Sequence, residues 1–388
     1  IHARRSHLPP PGARDERAAP PGIPPGGVSP GDRRSGRGPA AGSPPRSHPW
    51  AGAAGRGLAA VLLPCIQVLL DAAAWVYFRR IETLGLDRLP ARGAVLLVAN
   101  HPAAWTDALV LDVTFRRELR FVAHETLFHP WIRGVFLRLF ASLPVRHRHE
   151  GPLAAALNRQ TFDRCHLLFR RGAAIAVFPE GVSGSDRGLR PLKTGAARLL
   201  LEHVAAGDEA PALIPVAIHY EDRTKFRTRV DLAVGAPIPT AGAGVGQRVP
   251  EAAMHALTAE MSRALEAALA GAAAHARAGN DASRTTGPPP AHVRAAAGVA
   301  SVLAAAGVAL HAAPVRAIEW VARHLAGLPQ QVSFGRILSG VVILPLWYGA
   351  LVALAAALGG GVWFTIPASA PFLGVLACRE FDRRRAQA

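Results

Sequence analysis

Three shortages narrow what this chain can be. Cysteine occurs three times in 388 residues, at Cys65, Cys165 and Cys378, with no C-x-x-C pair. That spacing supports neither a disulfide framework nor a zinc site and fits a reducing compartment. Aromatic residues are 6% of the chain, and no basic run is interleaved with them in the way that stacks bases. No nucleic acid is therefore expected as a partner. Acidic residues number 27 against 44 Lys and Arg, which leaves a net charge of +17. Such an excess points to an anionic partner, a phosphorylated substrate or a membrane surface. The chain also lacks a Walker A loop and a G-x-S-x-G nucleophile elbow. Its glycine-rich stretch, Gly242 to Gly246, follows Pro239 in a loop and is no dinucleotide fingerprint.

What is present is unevenly distributed. Residues 1–57 are rich in Pro, Gly, Arg and Ser, with nine arginines against three acids. That composition cannot bury enough apolar surface to offset its ordering entropy. A disordered basic tail is expected, solvated or weakly docked on anionic lipid. Residues 58–80 hold an apolar stretch, Leu58 to Phe78, about as long as one bilayer span. It reads as a membrane-associated helix or helix pair in one leaflet; a full span and a buried core helix are the alternatives.

Residues 81–278 have the pattern of an α/β domain. Strands are expected at Ala94–Ala99, Arg120–Ala123, Leu143–Arg146, Ala174–Phe178, Ala212–Ile218 and Val230–Val234. Helices are expected at Asp107–Phe115, Ile132–Phe140, Gly151–Arg171, Thr194–Ala205 and Pro250–Ala276. Alternation of this kind predicts a mostly parallel sheet flanked by helices, with apolar membrane-associated helices at both ends of the domain. Residues 279–294 are a polar, Pro-rich linker. Beyond them Val299–Leu310 is short, whereas Val341–Leu358 and Val362–Cys378 approach bilayer length on either side of Gly359-Gly360-Gly361. With Arg379, Arg383, Arg384 and Arg385 following, 295–388 reads as a membrane hairpin with both ends cytoplasmic. Pro345, Pro367 and Pro371 weigh against the alternative, a buried helical pair in a soluble core.

Two strand ends carry candidate chemistry. The apolar run Val95–Ala99 stops at Asn100-His101-Pro102, and Asp107 follows. Proline keeps His101 extended, at the mouth of the strand. A carboxylate in the first turn of the next helix can accept one imidazole N–H and leave the other nitrogen free as a general base. No protein nucleophile accompanies the pair, which suits a reaction in which a substrate hydroxyl attacks. The second run, Ala174 to Phe178, ends at Pro179-Glu180-Gly181-Val182-Ser183. Here Glu180 could accept hydrogen bonds from a polyol, and the N–H groups around Gly181, with Ser183, could form an anion nest. Arg187, Arg190 and Lys193 follow in one loop, and Arg146 ends a third strand. His147, Arg148, His149 and Glu150 match no metal-ligand spacing, so no metal is expected.

Asn100 to Asp107, Leu143-Pro144-Val145-Arg146, Phe178-Pro179-Glu180-Gly181 and Ile214-Pro215-Val216 resemble, in order and spacing, the four blocks of the glycerolipid acyltransferases. The lead-in, Ile81 to Gly93, is similar too. This resemblance implies that His101 deprotonates an acceptor hydroxyl and that Asp107 orients it. It implies acyl-CoA or acyl-carrier protein as donor, without a separate cofactor, and glycerol-3-phosphate or 1-acylglycerol-3-phosphate as acceptor, held by Arg146, Glu180 and Gly181. Membrane lipids, and a cytoplasmic membrane with the catalytic domain facing the cytoplasm, go with it. Two features depart from the pattern. Five residues separate His101 from Asp107 where four are usual, a longer form that resembles the eukaryotic-type glycerol-3-phosphate acyltransferases. At Val182-Ser183-Gly184-Ser185 the usual arginine is missing, which leaves Arg146, Arg187 or Lys193 to bind phosphate. The alternatives are another lysophospholipid or amino-lipid acceptor, or a non-catalytic membrane or acyl-carrier binding protein on the same fold.

Overall fold

The computed structural model describes residues 68–115, 117–125, 142–146, 151–184, 188–240, 246–284, 291–325 and 331–387. The expected helix Ile132–Phe140, the cluster His147–Glu150 and the basic tail 1–57 lie outside these residues. A helix described over ten residues, α1 (Val68–Tyr77), leads into strand β1 (Phe78–Leu84). Then come β2 (Val95–Ala99), α2 (Trp105–Thr114), β3 (Leu119–His124), β4 (Leu143–Val145), α3 (Pro152–Arg170), β5 (Ala174–Val177) and α4 (Gly195–Ala205). β6 (Ala212–Tyr220), β7 (Thr228–Val234) and α5 (Glu251–Arg284) complete the domain.

The strands form one sheet in the order β1-β7-β6-β2-β5-β3-β4. β2 runs parallel to both β5 and β6, and β3 lies parallel to β5 and to β4. Only β7, antiparallel to β6, and its parallel neighbour β1 reverse direction. The carboxyl ends of five parallel strands therefore open on one edge, where ligands bind in sheets of this kind. β1 is the strand the sequence hides. The apolar stretch reads as continuing through Phe78, but the strand begins there, with Arg79 and Arg80 as its next residues. A span that includes Phe78 is thus excluded, and the ten described residues of α1 are too few to cross alone.

Alternation along the strands sorts the core into two layers. Leu97, Ala99, Ile214, Val216 and Ile218 face α2 and the buried side of α1 (Leu70, Ala74, Tyr77). Leu96, Val98, Ile175 and Leu213 face α3, α4 and α5 through Cys165, Leu200, Leu257, Met261 and Leu265. α5 continues eight residues past its expected end, to Arg284, and crosses the boundary drawn at 278.

Three further helices follow: α6 (Ala291–Leu325), α7 (Val332–Ala357) and α8 (Thr365–Gln387). Each contains or adjoins a segment long and apolar enough to cross a membrane: Ser301–His324, Val332–Ala357 and Gly361–Asp382. The hairpin of α7 and α8 around Gly359–Gly361 matches the expected pair. The short segment expected at Val299–Leu310 is instead part of a 35-residue helix that continues through Pro314. Small residues let these helices approach closely. A Cβ on Gly307 would collide with the Leu373 carbonyl oxygen of α8, and one on Gly335 would lie 3.1 Å from Ala322 of α6.

Candidate active site

The parallel register of β2 and β5 pairs Val98 with Val177. Three residues further along each chain stand His101 and Glu180, side by side at the carboxyl edge. Asn100 fixes the end of β2 from the other side, donating to the Ile218 carbonyl at 3.0 Å and accepting the Ile218 N–H at 2.7 Å. Its amide thus continues the β2–β6 ladder where the chain has begun to turn. His101 can leave the strand without releasing its base.

The five-residue gap to Asp107 is closed. The imidazole Nδ1 of His101 lies 2.9 Å from Asp107 Oδ2. The same oxygen accepts the Ala103 N–H at 2.8 Å, and the Tyr220 hydroxyl donates to Oδ1 at 2.9 Å. The Asp107 carboxylate is 0% exposed and receives three donors, so Nδ1 carries a proton and Nε2 is the basic nitrogen. Helix α2 starts at Trp105, which puts Asp107 in its first turn. The loop passes through Ala104, whose φ of 53° and ψ of −126° are rare for a residue with a side chain. Burial, and then the charge of Asp107, push the Tyr220 hydroxyl well above the usual range, so it remains a donor. Phe178 stacks on one face of His101, centroids 3.9 Å apart and planes at 14°. An aromatic face there favours the ring when it becomes cationic.

His101 opens into a cavity of about 880 Å³, lined mostly by apolar side chains such as Trp105, Phe121, Val145, Phe162 and Leu199. Arg146, Gly181, Ser183 and Lys193 also line it, so four of the expected binding residues share one space with the histidine. Arg187 lies outside the described residues. Glu180 is not among the residues that line the cavity. Its carboxylate is 4% exposed and turned inward, accepting the N–H of His101 at 2.8 Å and of Arg190 at 3.2 Å. Burial raises its pKa, partly offset by those two N–H groups. It braces the two strand ends. Of the N–H groups expected to form an anion nest, that of Gly181 donates to the Phe178 carbonyl and that of Gly184 to the His101 carbonyl. Gly181 has another use: with φ at 68°, it makes room for Lys193, whose Nζ would lie 2.7 Å from a Cβ at that position. Arg146 is ion-paired with Glu125, and Asn158 bonds both its N–H and its carbonyl at 2.9 Å.

Among the described residues, Glu82, Asp231 and His275 gather ligand atoms close enough for a metal ion. Arg229 already occupies the cluster, donating to Glu82 at 2.7 Å and to Asp231 at 2.7 Å. A guanidinium there does for the carboxylates what a cation would do.

Tyr220 and Gln331 are the site residues that the sequence reading missed. Tyr220 had a signal: it continues the alternation Ile214, Val216, Ile218 along one face of β6. Gln331 had none, since it stands just ahead of α7, far along the chain from every other residue that lines the cavity.

A family model described as Acyltransferase matches residues 80–219. Among curated proteins, the glycerol-3-phosphate O-acyltransferase 2 of Saccharomyces cerevisiae is 36% identical over 86 residues, 22% of this chain and 12% of that one. An uncharacterized acyltransferase of Schizosaccharomyces pombe is 23% identical over 44% of this chain and 39% of its own. The chain thus spans well under half the length of these two relatives. A solved structure, the 1-acyl-sn-glycerophosphate acyltransferase of Thermotoga maritima, superposes with a TM-score of 0.38 at 17% identity, covering 54% of this chain and 82% of that one.

Proposed function

We propose that the chain, whose residues 80–219 match a family model described as Acyltransferase, transfers a fatty acyl group from a thioester donor to a glycerolipid hydroxyl at a membrane. The observation that carries the reading is Asp107, a fully buried carboxylate that accepts from His101, Ala103 and Tyr220 at the mouth of a large apolar cavity. A carboxylate so held fixes the tautomer of His101 and leaves Nε2 to take a proton from the acceptor hydroxyl. The oxygen then attacks the thioester carbonyl of acyl-CoA or acyl-carrier protein. Collapse of the tetrahedral intermediate expels the thiolate, and the imidazolium returns the proton to sulfur. Asp107 and the face of Phe178 stabilise the imidazolium between those two steps. Glycerol-3-phosphate and 1-acylglycerol-3-phosphate are the proposed acceptors, and Arg146, Lys193 and Ser183, which line the cavity, are the proposed phosphate-binding groups.

The test is a transfer assay in detergent on an acceptor panel, with both donors. His101→Ala should lower kcat by about 10²–10⁴. Equal rates with and without His101 would end the base assignment and favour a non-catalytic binding role. One observation keeps a second acceptor class in view: Arg146 is already neutralised by Glu125. If Arg146→Ala raises KM equally for phosphorylated and uncharged acceptors, a different lysolipid or an amino lipid becomes the better reading.

A further inference from the structure

We propose that the Arg198 side chain is a partition that ends the catalytic cavity and thereby sets the longest donor chain the site accepts. The inference rests on the acyl-transfer reading of His101 and concerns the same cavity. A second cavity, of about 910 Å³, lies between the end of α4 and the start of α5. Among the described residues, only Arg198 lines both spaces.

Two contacts hold the side chain where a partition must stand. Its guanidinium carbon lies 4.5 Å from the ring centre of Phe162, a wall residue of the catalytic cavity. Its Nε lies 3.4 Å from Glu202, a wall residue of the second cavity one turn further along α4. The guanidinium therefore bridges the two walls, stacked on one and ion-paired with the other. Its side chain is 21% exposed, whereas Cys165 and Leu199, which also bound the catalytic cavity, are buried. The barrier is thin at Arg198, and the arginine stem can line an apolar space while its charge stays with Glu202.

The space on the catalytic side suits a hydrocarbon chain. Phe162 and Cys165 of α3, Leu192, and Ala196 and Leu199 of α4 bound it. A methylene chain gains there by burial alone and asks for no hydrogen bond. A thioester donor arrives from water with a chain that has to be buried, whereas an acylated acceptor can leave its tail in the bilayer. The occupant of this arm is therefore the donor's chain. One long enough to reach Arg198 has to displace a guanidinium that is both stacked and ion-paired, so rejection begins at that length.

The experiment gives the full chain in detergent a donor series, lauroyl-, palmitoyl-, stearoyl- and arachidoyl-CoA, with one fixed 1-acylglycerol-3-phosphate as acceptor. Three variants accompany the wild type: Arg198→Ala, Arg198→Met, and Arg198→Ala combined with Ala206→Trp. Ala206 is exposed and lines the second cavity. Two readouts are taken: kcat/KM for each donor, and the rise in melting temperature that each thioester causes without acceptor. A pocket that rejects one extra methylene discriminates by about 10- to 200-fold. Arg198→Ala should therefore raise kcat/KM for arachidoyl-CoA, relative to lauroyl-CoA, at least about tenfold. Arg198→Met keeps the bulk without the charge and should keep the wild-type ranking. Ala206→Trp should restore that ranking to Arg198→Ala by filling the space behind it. Melting shifts should follow the same order. An unchanged ranking in Arg198→Ala overturns the partition, as does a ranking in Arg198→Met or in the double variant that equals that of Arg198→Ala. If the wild-type chain transfers nothing but Arg198→Ala still gains melting shift from the longest thioesters, the acyl-transfer reading fails and the partition stands.

Discussion

Tyr220 is the residue whose role is easiest to isolate. Removing its hydroxyl leaves Asp107 with two donors instead of three and an unpaired oxygen in a dry place. A buried acceptor that loses its partner costs about 1–3 kcal/mol. Tyr220→Phe should therefore destabilise the chain by that amount in urea melts. It should also lower kcat more than it changes either KM, because the loss falls on the group that steadies the imidazolium. His101 and Asp107 were legible from order alone: an apolar run, a proline that keeps the histidine extended, and a carboxylate one turn into a helix. Their meeting was not legible, because it depends on the backbone of Ala104, and dihedrals leave no mark in composition. Local sequence places the Glu180 carboxylate at a strand end, but only the β2–β5 register shows that each of its oxygens accepts a backbone N–H.

At the scale of elements, the strands that pass through the middle of the sheet were readable because burial on both faces writes long apolar runs. β1 was not, since it sits at the edge, carries two arginines near its start and follows directly on apolar α1. The turn into α2 stores strain at Ala104, on the order of 1–3 kcal/mol for such a conformation. Ala104→Gly should raise the melting temperature. It should also lower kcat, because the freed loop would hold His101 and Asp107 less firmly. Between α3 and α4, His166 and His203 stack with their Nδ1 atoms 3.2 Å apart. Burial lowers the pKa of both; for His166 the neighbouring His203 adds to the effect, while for His203 nearby Asp208 opposes it. The fold thus holds the neutral forms. Their contribution is complete above the ordinary imidazole range and is lost as pH falls through the lowered folded values. Urea midpoints should drop between about pH 7.5 and pH 5, and His203→Gln should flatten that slope; an equal slope in the variant would locate the pH sensitivity elsewhere.

The whole molecule joins the sheet to apolar helices around the turn between β6 and β7. α7 starts beside the cavity, where Ser333 and Arg336 bond the carbonyls of Arg223 and Thr224. α8 ends beside the β1–β7 edge, where Asp382 receives Arg227 Nη2 at 2.6 Å. The same guanidinium gathers the carbonyls of Trp75, Val76 and Phe78 at the end of α1. Both ends of the α7–α8 pair thus lie on the domain's side, and α7, about 39 Å long, exceeds the hydrocarbon thickness of roughly 30 Å. With Cys65, Cys165 and Cys378 replaced by serine, a cysteine at Gly360 should react with an impermeant maleimide only from the face opposite the domain. One at Lys225 should react only from the domain's face. Labelling of both from the same face would rule out a crossing pair.

The two attachments also bear on how freely the proposed enzyme can move. A rigid body tied to a surface at one point can still swivel, and its active centre sweeps an arc above the plane. Held at the β6–β7 turn by both Ser333 and Asp382, and packed on α2 through the Phe334–Trp105 stack, this domain is restrained against that rotation. On the proposed reading of α7 and α8 as membrane-crossing helices, His101 keeps one height and one bearing, so an acceptor whose tail remains in the lipid would meet it by sliding in two dimensions.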